Sequence, residues 1–213
     1  MSETLKLDSN EIMQLPSRYR ARLINNISGF KSANLIGTLT DEGMENLAIF
    51  NSVVHIGASP PYLGFILRPA TVERHTYENL KSTGYYTINQ VHAGIHREAH
   101  MTSGKFERRI SEFEACNLTP EYLGEFQAPF VAESQIRIGM SFAEEHVLSC
   151  NKTILVVGKV ELLEVPGSAV AEDGHIALES LETVAISGLE SYFTVTGLGR
   201  YKYYKPGEEL RSM

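Results

Sequence analysis

From Ala33 onward, short β-compatible runs follow one another at close intervals, broken only by brief helical stretches. Parallel sheets need a long crossover, usually a helix, between successive strands, and no regular strand–helix alternation is present here. A doubly wound sheet is therefore disfavoured, and a closed or half-closed barrel fits better. Motifs agree, because no GxGxxG follows the first strand and no GxxxxGK[ST] occurs anywhere, so neither a Rossmann nor a P-loop cradle is expected. The fold class expected is mainly β with short helices.

The expected elements can be placed along the chain. Residues 33–40 and 47–55 read as two strands of a hairpin around the turn Asp41, Glu42, Gly43. Ser59, Pro60 and Pro61 force a turn before a third strand at 62–67. Thr76 is expected to cap a helix with body 77–83 and a stop at Gly84. A strand at 85–91 follows, then short helical stretches at 94–103 and 111–115, the latter closed by Asn117. Strands are expected at 134–142 and 153–165, and a last helical segment at 181–188. The first twenty residues read as an arm able to pack on a partner subunit, 21–205 as one domain and 206–213 as a tail.

The chain has 213 residues, 43% of them hydrophobic and 21% charged, enough for one full-sized core. A formal charge of −7 offers no basic field to nucleic acid or to an anionic membrane. No apolar stretch approaches the roughly 18 residues of a bilayer span, and the first twenty residues lack the apolar core of a secretory signal. Cys116 and Cys150 have no CxxC spacing and are expected to stay as thiols in a reducing cytoplasm.

Against this acidic background, residues 68–76 stand out. Arg68, Thr71, Arg74, His75 and Thr76 gather two arginines, an imidazole and two hydroxyls just ahead of a helix N-terminus. Helix dipole and free amides favour an anion there, and arginine grips phosphate in bidentate fashion. A solvated loop before a capped helix fits the same run. His92, His96 and His100 are spaced i, i+4, i+8 and would fan over about 80° of a helix face. Gly94 weakens such a helix and no HExxH is present, so no metal is expected. A hydrolase triad has no GxSxG to support it.

The stretch ENLAIFNSVVHIGASPPYLGFILRPATVERHTYENLKSTGYYTINQV resembles the signature region of the flavin reductase-like FMN-binding split barrels. The matching elements come in order: a strand carrying Asn46 and ending in Asn51 and Ser52, the Pro60–Pro61 turn, an apolar strand, a Thr76-initiated helix, and a strand ending in Ile88 and Asn89. The later AHMTSGKFERRISEFEACNLTP is similar to the family's His-x-Thr-Ser segment and the loop after it. The resemblance spans about residues 20–205. It implies a barrel that dimerises, with FMN in a groove between subunits. It also implies NAD(P)H as co-substrate, with a small molecule or redox protein as acceptor. The alternative it leaves open is a flavoredoxin-type electron carrier without reductase turnover of its own.

FMN needs a cationic phosphate site and an apolar slot edged by backbone donors. The resemblance assigns the first to Arg68, Thr71, Arg74, His75 and Thr76, and the second to Ala48, Ile49, Phe50, Asn51 and Ser52. Strand alternation puts Phe50 and Ser52 on one side and Ile49 and Asn51 on the other. Asn89 suits either ribityl hydroxyls or a strand-ending turn. His100, Thr102 and Ser103, with Lys105 beside them, can complete the polar shell, or the two hydroxyls can simply cap a helix. Tyr201, Tyr203 and Tyr204 are expected to serve interface packing.

Overall fold

The computed structural model describes residues 4–213. Helices α1 (Ser9–Gln14) and α2 (Ser17–Ile27) precede strands β1 (Lys31–Ser32), β2 (Asn34–Leu39), β3 (Glu45–Phe50), β4 (Val54–Ala58) and β5 (Pro61–Leu67). Helix α3 (His75–Thr83), β6 (Tyr85–Gln90), α4 (His96–Met101) and α5 (Glu112–Ala115) follow. The second half carries β7 (Pro120–Glu121), β8 (Phe130–Val131), β9 (Arg137–Val147), β10 (Ile154–Glu164), β11 (Ala185–Ser187) and β12 (Ser191–Phe193).

Seven strands form one sheet in the order β3-β2-β6-β9-β10-β5-β4, every neighbouring pair antiparallel. Strands β3 and β4 are consecutive in the chain yet occupy opposite edges. Only residues 51–53 join them, a connection that spans at most about 14 Å. The sheet therefore has to curl until its edges face each other, which makes a barrel split along one seam. The strand expected at 47–55 is thus two strands, because the chain leaves one edge at Phe50 and joins the other at Val54.

The inside of the curl holds Ile36, Phe65, Leu80, Tyr86, Ile88, Met140 and Val156, all buried. Phe50, Phe65 and Tyr86 meet edge to face, with centroids 5.1 and 5.6 Å apart along the series. A second core, containing Leu35, Leu47, Val91, Ala99, Phe113 and Ile186, packs on the other face of β2 and β3. Ile49 belongs to this second cluster and Phe50 to the first, as strand alternation requires.

Gly84 ends α3 in the left-handed region at φ 76°, where a side chain would be strained. Two expectations need correction. Thr76 is not the N-cap: the helix begins at His75, Arg74 is the cap residue, and no side chain caps it. Residues 181–188 are not helical, since Val184 and Ile186 are buried two apart and Ala185–Ser187 pairs with β1 and β12. Period-2 burial and β-branched residues overrode the helical reading there.

The N-terminal segment forms α1 and α2, neither with a buried residue. It touches the body where Ser187 Oγ donates to Asn26 Oδ1 at 2.6 Å and Arg22 pairs with Glu190 at 3.3 Å. At the other end, residues 194–213 contain neither helix nor strand, only an isolated bridge between Tyr201 and Ser212.

Candidate functional site

Along the split runs a groove of about 870 Å³. One wall is β3, an edge strand that pairs only with β2. The Leu47 amide points away from β2 and donates to Glu112 Oε2 at 3.0 Å. Main-chain groups alternate sides along an antiparallel ladder, so the amide and carbonyl of Ile49 also face outward on that free edge. The groove is therefore bordered by backbone hydrogen-bonding groups that no strand covers. Ala48, Ile49, Phe50, Asn51 and Ser52 all line it.

The side chains of Asn51 and Ser52 have partners of their own. Asn51 Nδ2 donates to the Gly188 carbonyl at 2.6 Å. Ser52 Oγ donates to the Ile66 carbonyl at 3.0 Å and accepts the Ile66 amide at 3.1 Å. These contacts bind the crossing segment to both flanks of the seam, so what this strand offers a ligand is its main chain and apolar surface.

The far end of the groove is the N-terminus of α3. Glu78 reaches back to the Arg74 amide at 3.1 Å, but no side chain caps the amides that follow. Thr76 is turned inward, its hydroxyl donating to Asn46 Oδ1 at 3.2 Å. Arg74 Nε is buried with no hydrogen-bond partner, an arrangement that is costly unless an acceptor arrives. Free helix amides beside an unsatisfied guanidinium fit a phosphate.

The charges lining the groove divide unevenly. Among the described residues, Arg68, Arg74 and Lys105 form no ion pair, although all three line it. The exposed carboxylates of the groove are each taken: Glu73 by Arg108 at 3.4 Å, Glu107 by Arg109 at 2.9 Å and Glu190 by Arg22 at 3.3 Å. Arg108 also pairs with Glu78 at 2.5 Å. Burial raises the Glu78 carboxyl, but the Arg74 amide and Arg108 outweigh it and hold it below the usual range. Cationic groups are thus left over where a ligand would sit.

Of the expected site residues, Arg68, His75, His100, Thr102 and Ser103 also line the groove. Thr102 does so as a helix C-cap, its hydroxyl donating to the Ala99 carbonyl at 2.8 Å. Two residues are not brought there. Thr71 faces solvent on the loop before α3, where Val72 takes the lining position. Asn89 is fully buried, with Nδ2 donating to the Leu35 carbonyl and Thr87 Oγ1 and Oδ1 accepting the Val131 amide. Both of its side-chain polar atoms are engaged within the sheet, inside β6 and not at a turn, so neither the ribityl role nor the strand-ending turn expected of Asn89 is what the structure shows.

The histidine series has structural partners too. His92 Nε2 lies 3.0 Å from the Glu133 carbonyl, His96 Nδ1 2.6 Å from the Ala93 carbonyl and His100 Nδ1 3.0 Å from Tyr192 Oη. Burial pushes the Tyr192 phenol up to about 12, so the hydroxyl beside His100 stays protonated.

Asn46, noted in the sequence only as part of the matching strand, and Glu112 are groove residues to which the sequence assigned no role. Asn46 Nδ2 donates to Glu112 Oε2 at 2.8 Å, and its Oδ1 accepts from both Thr38 and Thr76. The available signal was an asparagine inside an apolar strand, a polar group that burial obliges to find partners. Glu112 carried no such signal among the acidic residues around it.

The flavin reductase like domain profile matches residues 28–178. The chain belongs to the flavin reductase-like family. A candidate flavin reductase with a split barrel domain from Shewanella frigidimarina NCIMB 400 superposes with a TM-score of 0.91 and is 46% identical. That match covers 94% of this chain and all of the other. Nitrilotriacetate monooxygenase component B from Bacillus cereus gives a TM-score of 0.80 at 19% identity, covering 92% and 98% of the two chains. Flavoredoxin of Desulfovibrio vulgaris (Miyazaki F) gives 0.70 at 20%, covering 84% and 93%. At those lower identities the likeness is one of fold. In this flavin reductase-like chain, as in the expectation from sequence, the architecture is a split barrel.

Proposed function

We propose that this flavin reductase-like protein binds FMN in the seam groove and acts as an oxidoreductase between NAD(P)H and flavin. The observation that carries the reading is the set of unpaired groove cations, Arg68, Arg74 and Lys105, gathered near an uncapped helix N-terminus beside an uncovered strand edge. A flat heterocycle joined to a phosphate has the two kinds of group that this arrangement serves.

In this reading Arg74, Arg68, Lys105 and the first amides of α3 hold the phosphate, with His75 and Ser103 beside them. The outward main chain of β3 near Ile49 meets the polar edge of the ring, and Ile66, Leu67 and Ile186 supply apolar lining. FMN held there would supply a two-electron centre able to accept hydride from a reduced nicotinamide. The chain's own part is orientation and exclusion of water, which hydride transfer rewards.

The protein works as a homodimer, with the partner subunit closing the groove. Support comes from apolar residues left bare on the terminal segments, among them Ile27, Phe30, Leu198 and Tyr203. No helix among the described residues is long and apolar enough to cross a membrane. A cytoplasmic location agrees with two unpaired cysteines, Cys116 and Cys150.

The test is a flavin absorbance spectrum of the purified, desalted protein, followed by anaerobic NADH and then NADPH, with mass measured by light scattering. Flavin bands that bleach, on a dimer, are expected. Bands that persist would favour an electron carrier, and a folded protein that stays colourless with added FMN would overturn the assignment.

A further inference from the structure

Beneath the anion end of the groove lies a carboxyl group that the proposed function does not use. Glu112 is only 5% exposed, yet it lines the groove. Its two oxygens are in different situations. Oε2 accepts both Asn46 Nδ2 at 2.8 Å and the Leu47 amide at 3.0 Å. Oε1 receives no hydrogen bond from any other described residue. No cation pairs with Glu112 among the described residues.

A buried carboxylate sharing a cavity with a phosphate would set like charges together where water is scarce. Two negative groups in that position do not both ionise freely, and one of them retains a proton. With Oε2 already accepting from two other residues, the oxygen better placed to take that proton is Oε1. A protonated Oε1 turns the group from a repelling charge into a hydrogen-bond donor.

We propose that Glu112 is a proton-linked specificity group: a phosphate-bearing ligand binds this groove with the Glu112 carboxyl protonated on Oε1, taking up one proton from solvent. The inference rests on the phosphate assignment made above and adds the group that selects the ligand's charge state. The direction of the carboxyl's own titration agrees. Burial raises it above the usual range, and hydrogen bonds from Leu47, its own amide and Asn46, together with His75, only partly oppose this. Its charged and titratable neighbours are His75 on α3, Cys116 one turn along α5, and Glu73, Arg74, Lys105 and Glu107 around the groove.

The sign of the linkage is set. If the ligand raises the carboxyl's pKa further, affinity is greatest below the free-state pKa. It then falls by about tenfold per pH unit up to the bound-state pKa. Riboflavin, which lacks the phosphate, should bind without this loss.

The experiment is calorimetric titration of the protein with FMN and with riboflavin, from about pH 5 to about pH 9, the span over which buried glutamates ionise. Each titration is run in two buffers of different ionisation heat, on wild type and on Glu112→Gln. Wild type should take up about one more proton per FMN than the variant does on that limb, since the phosphate's own ionisation is common to both. Equal proton uptake and parallel affinity profiles would overturn the inference. If the variant does not fold, carboxyl carbon NMR of wild type decides. The Glu112 signal should titrate at higher pH in the FMN complex than in the riboflavin complex, and equal midpoints would overturn the inference. FMN that binds without a proton difference removes this inference alone, whereas a folded protein that binds no FMN at any pH removes both proposals.

Discussion

Ser52 holds Ile66 across the seam of the barrel with one hydroxyl, donating to its carbonyl at 3.0 Å and accepting its amide at 3.1 Å. The pair joins the segment leaving β3 to the C-terminal end of β5 on the sheet's other flank. Both main-chain groups of Ile66 lose a partner if the hydroxyl is removed.

Ser52→Ala should therefore destabilise the fold by about 1–2 kcal/mol. For a chain of this size that lowers the melting midpoint by about 2–8 °C, which differential scanning calorimetry would read. An unchanged midpoint would mean that the Ser52 hydroxyl adds nothing to the hold on the seam.

Arg74 presents a buried Nε without a partner. Arg74→Ala should weaken FMN binding by about 1.5–3 kcal/mol, the range of a hydrogen bond to a charged group. That is roughly tenfold to a hundredfold in affinity, with riboflavin binding little changed. Quenching of flavin fluorescence measures both, and an equal loss for the two ligands would show that the phosphate lies elsewhere.

Asn89 presents the opposite case. Asn89→Ala leaves the Val131 amide and the Leu35 carbonyl short of a partner inside the core, at a cost of about 1–3 kcal/mol for each buried group left unsatisfied. Urea unfolding should show the loss. FMN affinity of the folded variant should match wild type, because no atom of Asn89 lines the groove.

Glu112 also predicts a pH trend in the ligand-free protein. Its folded-state carboxyl is raised, chiefly by burial. A group raised on folding adds stability that is fully present below the unfolded pKa and lost as pH rises through the folded pKa. Melting midpoints of wild type should fall relative to Glu112→Gln across that window and run parallel to it above. A constant difference at every pH would remove the carboxyl from the pH dependence of stability.

The two thiols should react unequally. Cys150 is exposed, whereas Cys116 is fully buried and its thiol is pushed up by burial and by the charge of Glu112. One thiol per folded chain should react with a disulfide reagent and two after unfolding, since the thiolate is the reactive form. Two fast thiols in the native protein would contradict the packing around α5.

The strand-rich pattern and the Gly84 stop could be read from the sequence because each depends on local chemistry, and the stretch from Ala48 to Ser52, singled out by resemblance, lies along the groove. Period-2 burial, a left-handed φ and a cluster of arginines all leave marks within a few neighbouring residues. What lay outside that reach was decided by the curl of the sheet. The break at residues 51–53 exists because β3 and β4 must take opposite edges, and residue types around Asn51 do not encode a distant edge. Asn89 read as serving ribityl hydroxyls or a strand-ending turn, and only the positions of Leu35 and Val131, 54 and 42 residues away, decided that its amide is occupied within the sheet instead. Glu112 and Asn46, 66 residues apart in the chain, became one unit for the same reason. A buried polar group takes the partner that the fold brings within about 3 Å, and that partner is set by tertiary packing, not by spacing along the chain.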